Sequence, residues 1–229
     1  WLPGGLPAPA AQLITINMPQ AVYRARGHDL DSVIEELYRG VDLAAHAHRQ
    51  FRQFQRAHGR ARAASHPGVL TCAGLDEAVA VLSGTGVFDS ADSTKCLRVM
   101  LGVLHDGVRS IAHAQQLPVC LRMGESITCG QRLAAIDQAL FPELFGFLPL
   151  SSDALEHVIP PYQPLRLALD TARPVQVTIA AAQHVVRCVE QSVLPLEPGG
   201  LDAAGLHTCL HALISASCGF VLPPADVPA

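Results

Sequence analysis

Apolar residues recur at two different spacings along this chain, and the switches between them mark the elements. Gln12-Leu-Ile-Thr-Ile-Asn-Met is a short apolar run that reads as a buried strand, ending at Pro19, which has no N–H to give a ladder. From Asp29 to about Ala57 the positions Leu30, Ile34, Leu37, Val41, Ala44, Phe51 and Phe54 step by three, four and seven, which predicts a long amphipathic helix. Asp29 or Asp31 is placed to cap its start. Arg49, Arg52 and Arg56 crowd its last turns, where positive charge complements the helix dipole; that explains them better than a phosphate site does. Pro67 to Thr71 is the next apolar run, followed at Gly74 by a turn and a helix from about Leu75 to Leu82 that Gly84 and Gly86 stop.

A further helix is predicted from Ser93 to about Gln116, with Cys96, Val99, Met100, Val103, Leu104, Val108 and Ile111 on its buried side. Pro118 then introduces the strand Val119-Cys-Leu-Arg, a loop at Met123-Gly-Glu-Ser and a helix across Gln131 to Ala139. Residues 141 to 174 hold Pro142, Pro149, Pro160, Pro161, Pro164 and Pro174, and read as an irregular excursion with short helical pieces. Val175-Gln-Val-Thr-Ile alternates like a strand, Val185 to Val189 reads as a second, Leu201 to Ser215 as a helix, and Gly219-Phe-Val-Leu as a final strand. Residues 1 to 11, with Pro3, Gly4, Gly5, Pro7 and Pro9, read as a loop. The alternation of strands and helices predicts an α/β fold with parallel pairing, and residues 1 to 229 as one α/β domain.

Composition narrows the functional classes. The 229 residues are 49% hydrophobic and 16% charged with a net charge of -4, which sets aside a disordered tail and a polyanion-binding surface. No apolar run approaches the roughly 20 residues that span a bilayer, so no membrane partner is expected. Seven cysteines without a Cys-x-x-Cys pair argue against a disulfide framework and for a reducing cytoplasm. His207 and His211 stand one helical turn apart with Cys209 between them, but no third ligand is in convincing range, and no metal site is expected. The chain starts at Trp1 and its first methionine is Met18, which suggests an excised fragment.

Three motifs carry a family resemblance. Gly68-Val-Leu-Thr-Cys-Ala-Gly-Leu-Asp-Glu-Ala-Val-Ala-Val-Leu-Ser-Gly-Thr-Gly resembles a strand, turn and helix of large-subunit ribonucleotide reductases. Thr15-Ile-Asn-Met-Pro-Gln-Ala is similar to the Thr-x-Asn-Leu-Pro-Arg-x-Ala stretch of the anaerobic, glycyl-radical class, again followed by a long amphipathic helix. Leu121-Arg-Met-Gly-Glu-Ser resembles that class's Thr-Pro-x-Glu-Ser loop, followed by a helix with Arg132 and the pair Ile136-Asp137. The region 185 to 221, with Cys188, Glu190, Pro198 and Gly219-Phe220, is similar to the segment that precedes the family's zinc-binding module, and Trp1 resembles a tryptophan a few residues after its radical-bearing cysteine.

The resemblance implies an incomplete portion of a ten-stranded α/β barrel, from an anaerobic ribonucleoside-triphosphate reductase that makes deoxyribonucleotides by radical chemistry. The isolated chain is expected to be inactive. Gly124, Glu125 and Ser126 are then the substrate phosphate-binding loop, with free N–H groups ahead of a helix, and Cys72, Ala73 and Gly74 face the substrate; a plain helix cap and core packing are the competing explanations. No catalytic residue falls in this chain. The glycyl radical and the zinc module belong to the parent, and Gly219 reads as a glycine leading into a strand rather than as the radical site. A ribonucleoside triphosphate, a radical-SAM activating enzyme and a second copy in a homodimer are the implied partners. Two positions depart from the family: Ala10 stands where an asparagine is expected, and Gln20 replaces the motif's arginine. They support an alternative, a catalytically degenerate homologue that binds nucleotide or phosphate or acts as a scaffold. An unrelated α/β domain is the third reading.

Overall fold

In the computed structural model the described residues are 12–25, 29–60, 66–87, 90–122 and 127–145, Tyr162, Leu165, and the segments 167–168, 175–188, 194–197, 203–215 and 220–221. The first sheet holds strands β1 (Gln12–Asn17), β2 (Gly68–Ala73) and β3 (Val119–Leu121) in that spatial order. Both pairings are parallel, Gln12 opposite Gly68 through Asn17 opposite Ala73, and Gly68 opposite Val119. β2 is central and all six of its residues are buried, as a strand covered on both faces requires.

Helix α1 (Met18–Arg24) follows β1 with no intervening loop. Asn17, the last residue of the strand, is its N-cap and accepts a hydrogen bond from the Gln20 backbone N–H at 3.3 Å. Pro19 therefore opens a helix as well as closing a strand, since its missing N–H falls among those a first turn leaves unbonded. α2 (Leu30–Ala57) is the predicted long helix; Asp29 caps it, accepting from the Ser32 N–H at 2.9 Å. α3 (Leu75–Ser83) and α4 (Ala91–Ala114) follow β2, and Ser90 and Ser93 make a reciprocal capping box at the start of α4.

The core lies between the first sheet and the helices α2 and α4. Ile14 and Ile16 of β1, and Leu70 and Cys72 of β2, turn their side chains into it, where Leu37, Val41, Leu97, Met100, Leu101 and Leu104 meet them. Burying each large side chain contributes about 1.5–3 kcal/mol. Gly107 of α4 lets α2 approach closely: an added Cβ would sit 3.2 Å from Val41 Cγ1.

The second half corrects several expectations. Val175 to Ile179 and Val185 to Val189, predicted as two strands, are not separate strands: residues 175 to 188 form one helix, α7 (Val175–Cys188). Its buried residues Ala182, Val185 and Cys188 are three apart, a helical stripe, and the three alanines at 180 to 182 favour helix over the local β-branched alternation. The helix predicted from Gln131 begins a turn earlier, as α5 (Ile127–Leu140), with α6 (Pro142–Phe145) behind it. β4 (Leu167–Ala168), inside the proline-rich excursion, and β5 (Leu194–Glu197) were not predicted. They pair parallel with each other, and β5 also pairs parallel with β6 (Phe220–Val221), giving a second three-stranded sheet. α8 (Ala203–Ser215) matches its prediction. The described chain is thus a mixed helix and sheet fold with small parallel sheets.

Candidate functional site at the strand C-termini

The two faces of the first sheet differ in chemistry. Opposite the apolar face packed on α2 and α4, the alternate residues Thr15, Asn17 and Thr71 present hydroxyl and amide groups. Thr15 Oγ1 and Thr71 Oγ1 are 2.9 Å apart, and the Cys129 thiol of α5 lies 3.8 Å from Thr15 Oγ1. Sheets in α/β proteins hold their ligands beyond the carboxyl ends of the strands. Here those ends are Asn17, Ala73 and Leu121.

A carboxylate anchors this end. Asp137, on α5, is fully buried and accepts three hydrogen bonds: from Asn17 Nδ2 at 2.9 Å, Gln20 Nε2 at 3.0 Å and the Tyr162 hydroxyl at 2.7 Å. Three donors converging on two oxygens satisfy a buried acid that would otherwise be costly. The arrangement joins the strand end, the first turn of α1, α5 and the segment at Tyr162. Tyr162 is itself 2% exposed, and burial followed by the Asp137 hydrogen bond pushes its phenol far above the usual range. The neighbouring Tyr23 is raised in the same way, first by burial and then by the Asp137 charge. Neither tyrosine is an acid or base near neutral pH; Tyr162 acts as a donor to Asp137 and Tyr23 fills the space beside it.

Two glycines admit this packing. Gly74 sits between β2 and α3 with φ 68°, in the left-handed region, and a Cβ there would come within 2.7 Å of the Pro19 ring and 3.0 Å of Tyr162. Gly130 of α5 faces the Tyr162 carbonyl oxygen so closely that no Cβ fits between them. The turn of β2 therefore lies directly on the Asn17-Met18-Pro19 corner.

Among the sequence-predicted site residues, Gly74 touches this cluster through Pro19 and Tyr162. Ala73 is fully buried opposite Asn17. Cys72 is 3% exposed and pairs with Ile16 on the other face, within the apolar core. Gly124, Glu125 and Ser126 lie outside the described residues, as does Gly219. His207 and His211 are exposed on α8 with ring centroids 6.4 Å apart, and among the described residues no three His, Cys, Asp or Glu side chains are placed to hold a metal. Asp137 and Tyr162 were not singled out as site residues from sequence. For Asp137 a signal existed: an acid three and four residues after Ala134 and Leu133 lies on the buried stripe of its helix. Tyr162, among prolines, gave none.

A groove of about 600 Å³ adjoins the cluster, sharing Asn17 and Gln20 with it, and is lined by Arg24, Glu36 and Arg39 as well as by apolar residues of α2 and α5. That volume is in the range of small-molecule sites. Arg39 is ion-paired with Glu36.

No family model matches the chain, and no curated protein matches its sequence. Solved structures do share its fold. The anaerobic ribonucleotide reductase from Thermotoga maritima with glycerol in its active site superposes with a TM-score of 0.68 at 16% identity, over 92% of this chain and 36% of that one. The same enzyme with dATP in its specificity site gives 0.67 at 15% identity, over 92% and 36%. An anaerobic ribonucleotide reductase structure gives 0.67 at 14% identity, over 93% and 35%. This chain spans about a third of the length of those proteins. No helix among its described residues is long and apolar enough to cross a membrane.

Proposed function

We propose that this chain is part of an anaerobic ribonucleoside-triphosphate reductase, supplying one portion of a ten-stranded α/β barrel in which ribonucleotides are reduced by radical chemistry. The observation that carries the reading is the likeness of fold over 92% of the chain to an anaerobic ribonucleotide reductase. The sequence motifs at Thr15 to Ala21 and at Gly68 to Gly86, which resemble stretches of the same family, support the same reading. The role of this portion is to bind and position. In this reading Gly124, Glu125 and Ser126, which precede α5 in sequence, are the phosphate-binding loop, and Ala73 and Gly74 face the substrate. Asp137 holds the end of β1 to α5 by fixing Asn17 and Gln20. The thiol radical, the glycyl radical and its activating enzyme belong to the rest of such a protein.

A second reading is favoured by Gln20. The side chain in the place of the family's arginine is spent on Asp137 at 3.0 Å, and it is uncharged, which suits a homologue that keeps the nucleotide loop and has lost the reaction. Calorimetry with CTP and with cytidine tests the binding that both readings share. The triphosphate is expected to bind about tenfold tighter than the nucleoside, with Ser126→Ala weakening only the triphosphate. Incubated anaerobically with an activating enzyme, the chain is expected to form no deoxynucleotide. Equal or absent binding of the two ligands overturns the phosphate loop, and turnover by the chain alone overturns its assignment as an incomplete part.

A further inference from the structure

One residue from outside the first sheet lies against two walls of the candidate site. Gly130, Ala134 and Asp137 stand at steps of four and three along α5 and so share one face of it. Tyr162 meets that face at all three. Its carbonyl oxygen lies over Gly130, it clusters with Ala134 where Val81 and Leu133 border them, and its hydroxyl donates to Asp137 Oδ2 at 2.7 Å. The same ring reaches the turn after β2, where a Cβ on Gly74 would be 3.0 Å from Tyr162 Cγ. A buried residue that touches α5 and the Gly74 turn together sets the gap between them, because close-packed side chains transmit a displacement rather than absorb it.

We propose, resting on the nucleotide reading above, that Tyr162 is a positioning residue of this site, its hydroxyl and its ring each setting a different wall. The hydroxyl acts through Asp137. Oδ2 of that carboxylate accepts from both Tyr162 and Asn17, and Oδ1 from Gln20, so the phenol completes the set of donors that holds α5 to the end of β1. In the nucleotide reading the phosphate-binding residues directly precede α5 in sequence, so the placement of α5 decides where the phosphates are held. The ring acts on the other wall. Gly74 has φ 68° and no Cβ, so its turn is held by the groups that pack on it, Pro19 and Tyr162, rather than by a side chain of its own. Tyr162 is closed off from solvent and meets no substrate itself. It places the phosphate end and the nucleoside end of a bound nucleotide relative to each other, and tyrosine suits that task by joining a rigid ring to a donor at its tip.

Calorimetry with CTP and with cytidine on the whole chain tests it, comparing the native sequence with Tyr162→Phe and Tyr162→Ala. Phenylalanine keeps the ring and removes the donor. Tyr162→Phe is expected to weaken CTP about fivefold, the loss one hydrogen bond carries, and to leave cytidine within about twofold of the native value. Tyr162→Ala removes ring and hydroxyl together and is expected to weaken both ligands, CTP by about tenfold or more. Far-UV circular dichroism and the urea midpoint verify that each variant is folded; where the alanine variant is not, the phenylalanine variant decides alone. CTP affinity unchanged by Tyr162→Phe overturns the proposal. So does an equal loss for CTP and cytidine in that variant, since a residue that only stabilises the fold has no means of separating the two ligands. A native chain that binds neither ligand overturns the nucleotide reading and this inference with it, which sets that failure apart from one confined to the variants.

Discussion

Asp137 shows how one residue can hold several elements in place. Its three hydrogen bonds reach Asn17, Gln20 and Tyr162, which are separated from it by 120, 117 and 25 positions in the chain. Removing the acceptor leaves three donors without it, at least one of them fully buried with Tyr162. Leaving a buried donor unsatisfied costs about 1–3 kcal/mol. Asp137→Ala is therefore expected to lower stability by about 3 kcal/mol, seen as a shift of the urea midpoint with unchanged slope. A loss under about 1 kcal/mol would mean that water replaces the carboxylate and that the cluster does not tie the strand end to α5. The residue also marks the limit of reading the sequence. Asn17 stood in a recognisable motif and Asp137 in a recognisable pair, but nothing in either stretch said that they meet.

Elements were legible where the pattern was long. α2 and α4 have many turns of apolar spacing, so the sequence predicted both helices to within two residues of their observed ends. β1, β2 and β3 were each bounded by glycine or proline. α7 was misread because five residues, Val175 to Ile179, alternate as in a strand, whereas the stripe that decides the matter, Ala182, Val185 and Cys188, comes later. β4 and β5 are too short to show a period and take their conformation from the sheet they join.

The contact of α2 with β2 carries its own pH dependence. His48 of α2 is 2% exposed and lies against Gly68, where an added Cβ would be 2.7 Å from the ring, with Val41, Leu70, Val108 and Ile111 around it. Burial first, and the charge of Arg52 second, hold its pKa below the ordinary 6.5. The unfolded chain then takes up the proton at a higher pH than the folded one. The stabilisation is complete above that ordinary value and is lost as pH falls below it. His184, lowered first by burial, has the same sign. The urea midpoint is expected to drop between about pH 7.5 and 5.5, and His48→Gln to flatten that drop. An unchanged slope in the variant would show that this contact does not sense pH.

At the scale of the molecule, the fold places a polar sheet face, a buried acid and a groove at the C-terminal ends of parallel strands. It does so with the same chain path that anaerobic ribonucleotide reductases follow over about a third of their length. Sequence identity of 14–16% makes that likeness one of fold, and the proposed function adds to it the motifs in this chain's sequence that resemble the same family. Those motifs cover the strand ends and the turns, where backbone geometry constrains residue type, and are silent on the helix faces, where many apolar residues serve equally well. The most direct test is to sequence the coding DNA on both sides of the region encoding Trp1 to Ala229. The account predicts a frame that continues into a cysteine just upstream, and downstream into paired Cys-x-x-Cys motifs and a terminal glycine loop. A frame that starts and stops at these ends would contradict it and exclude radical reduction of nucleotides by this protein.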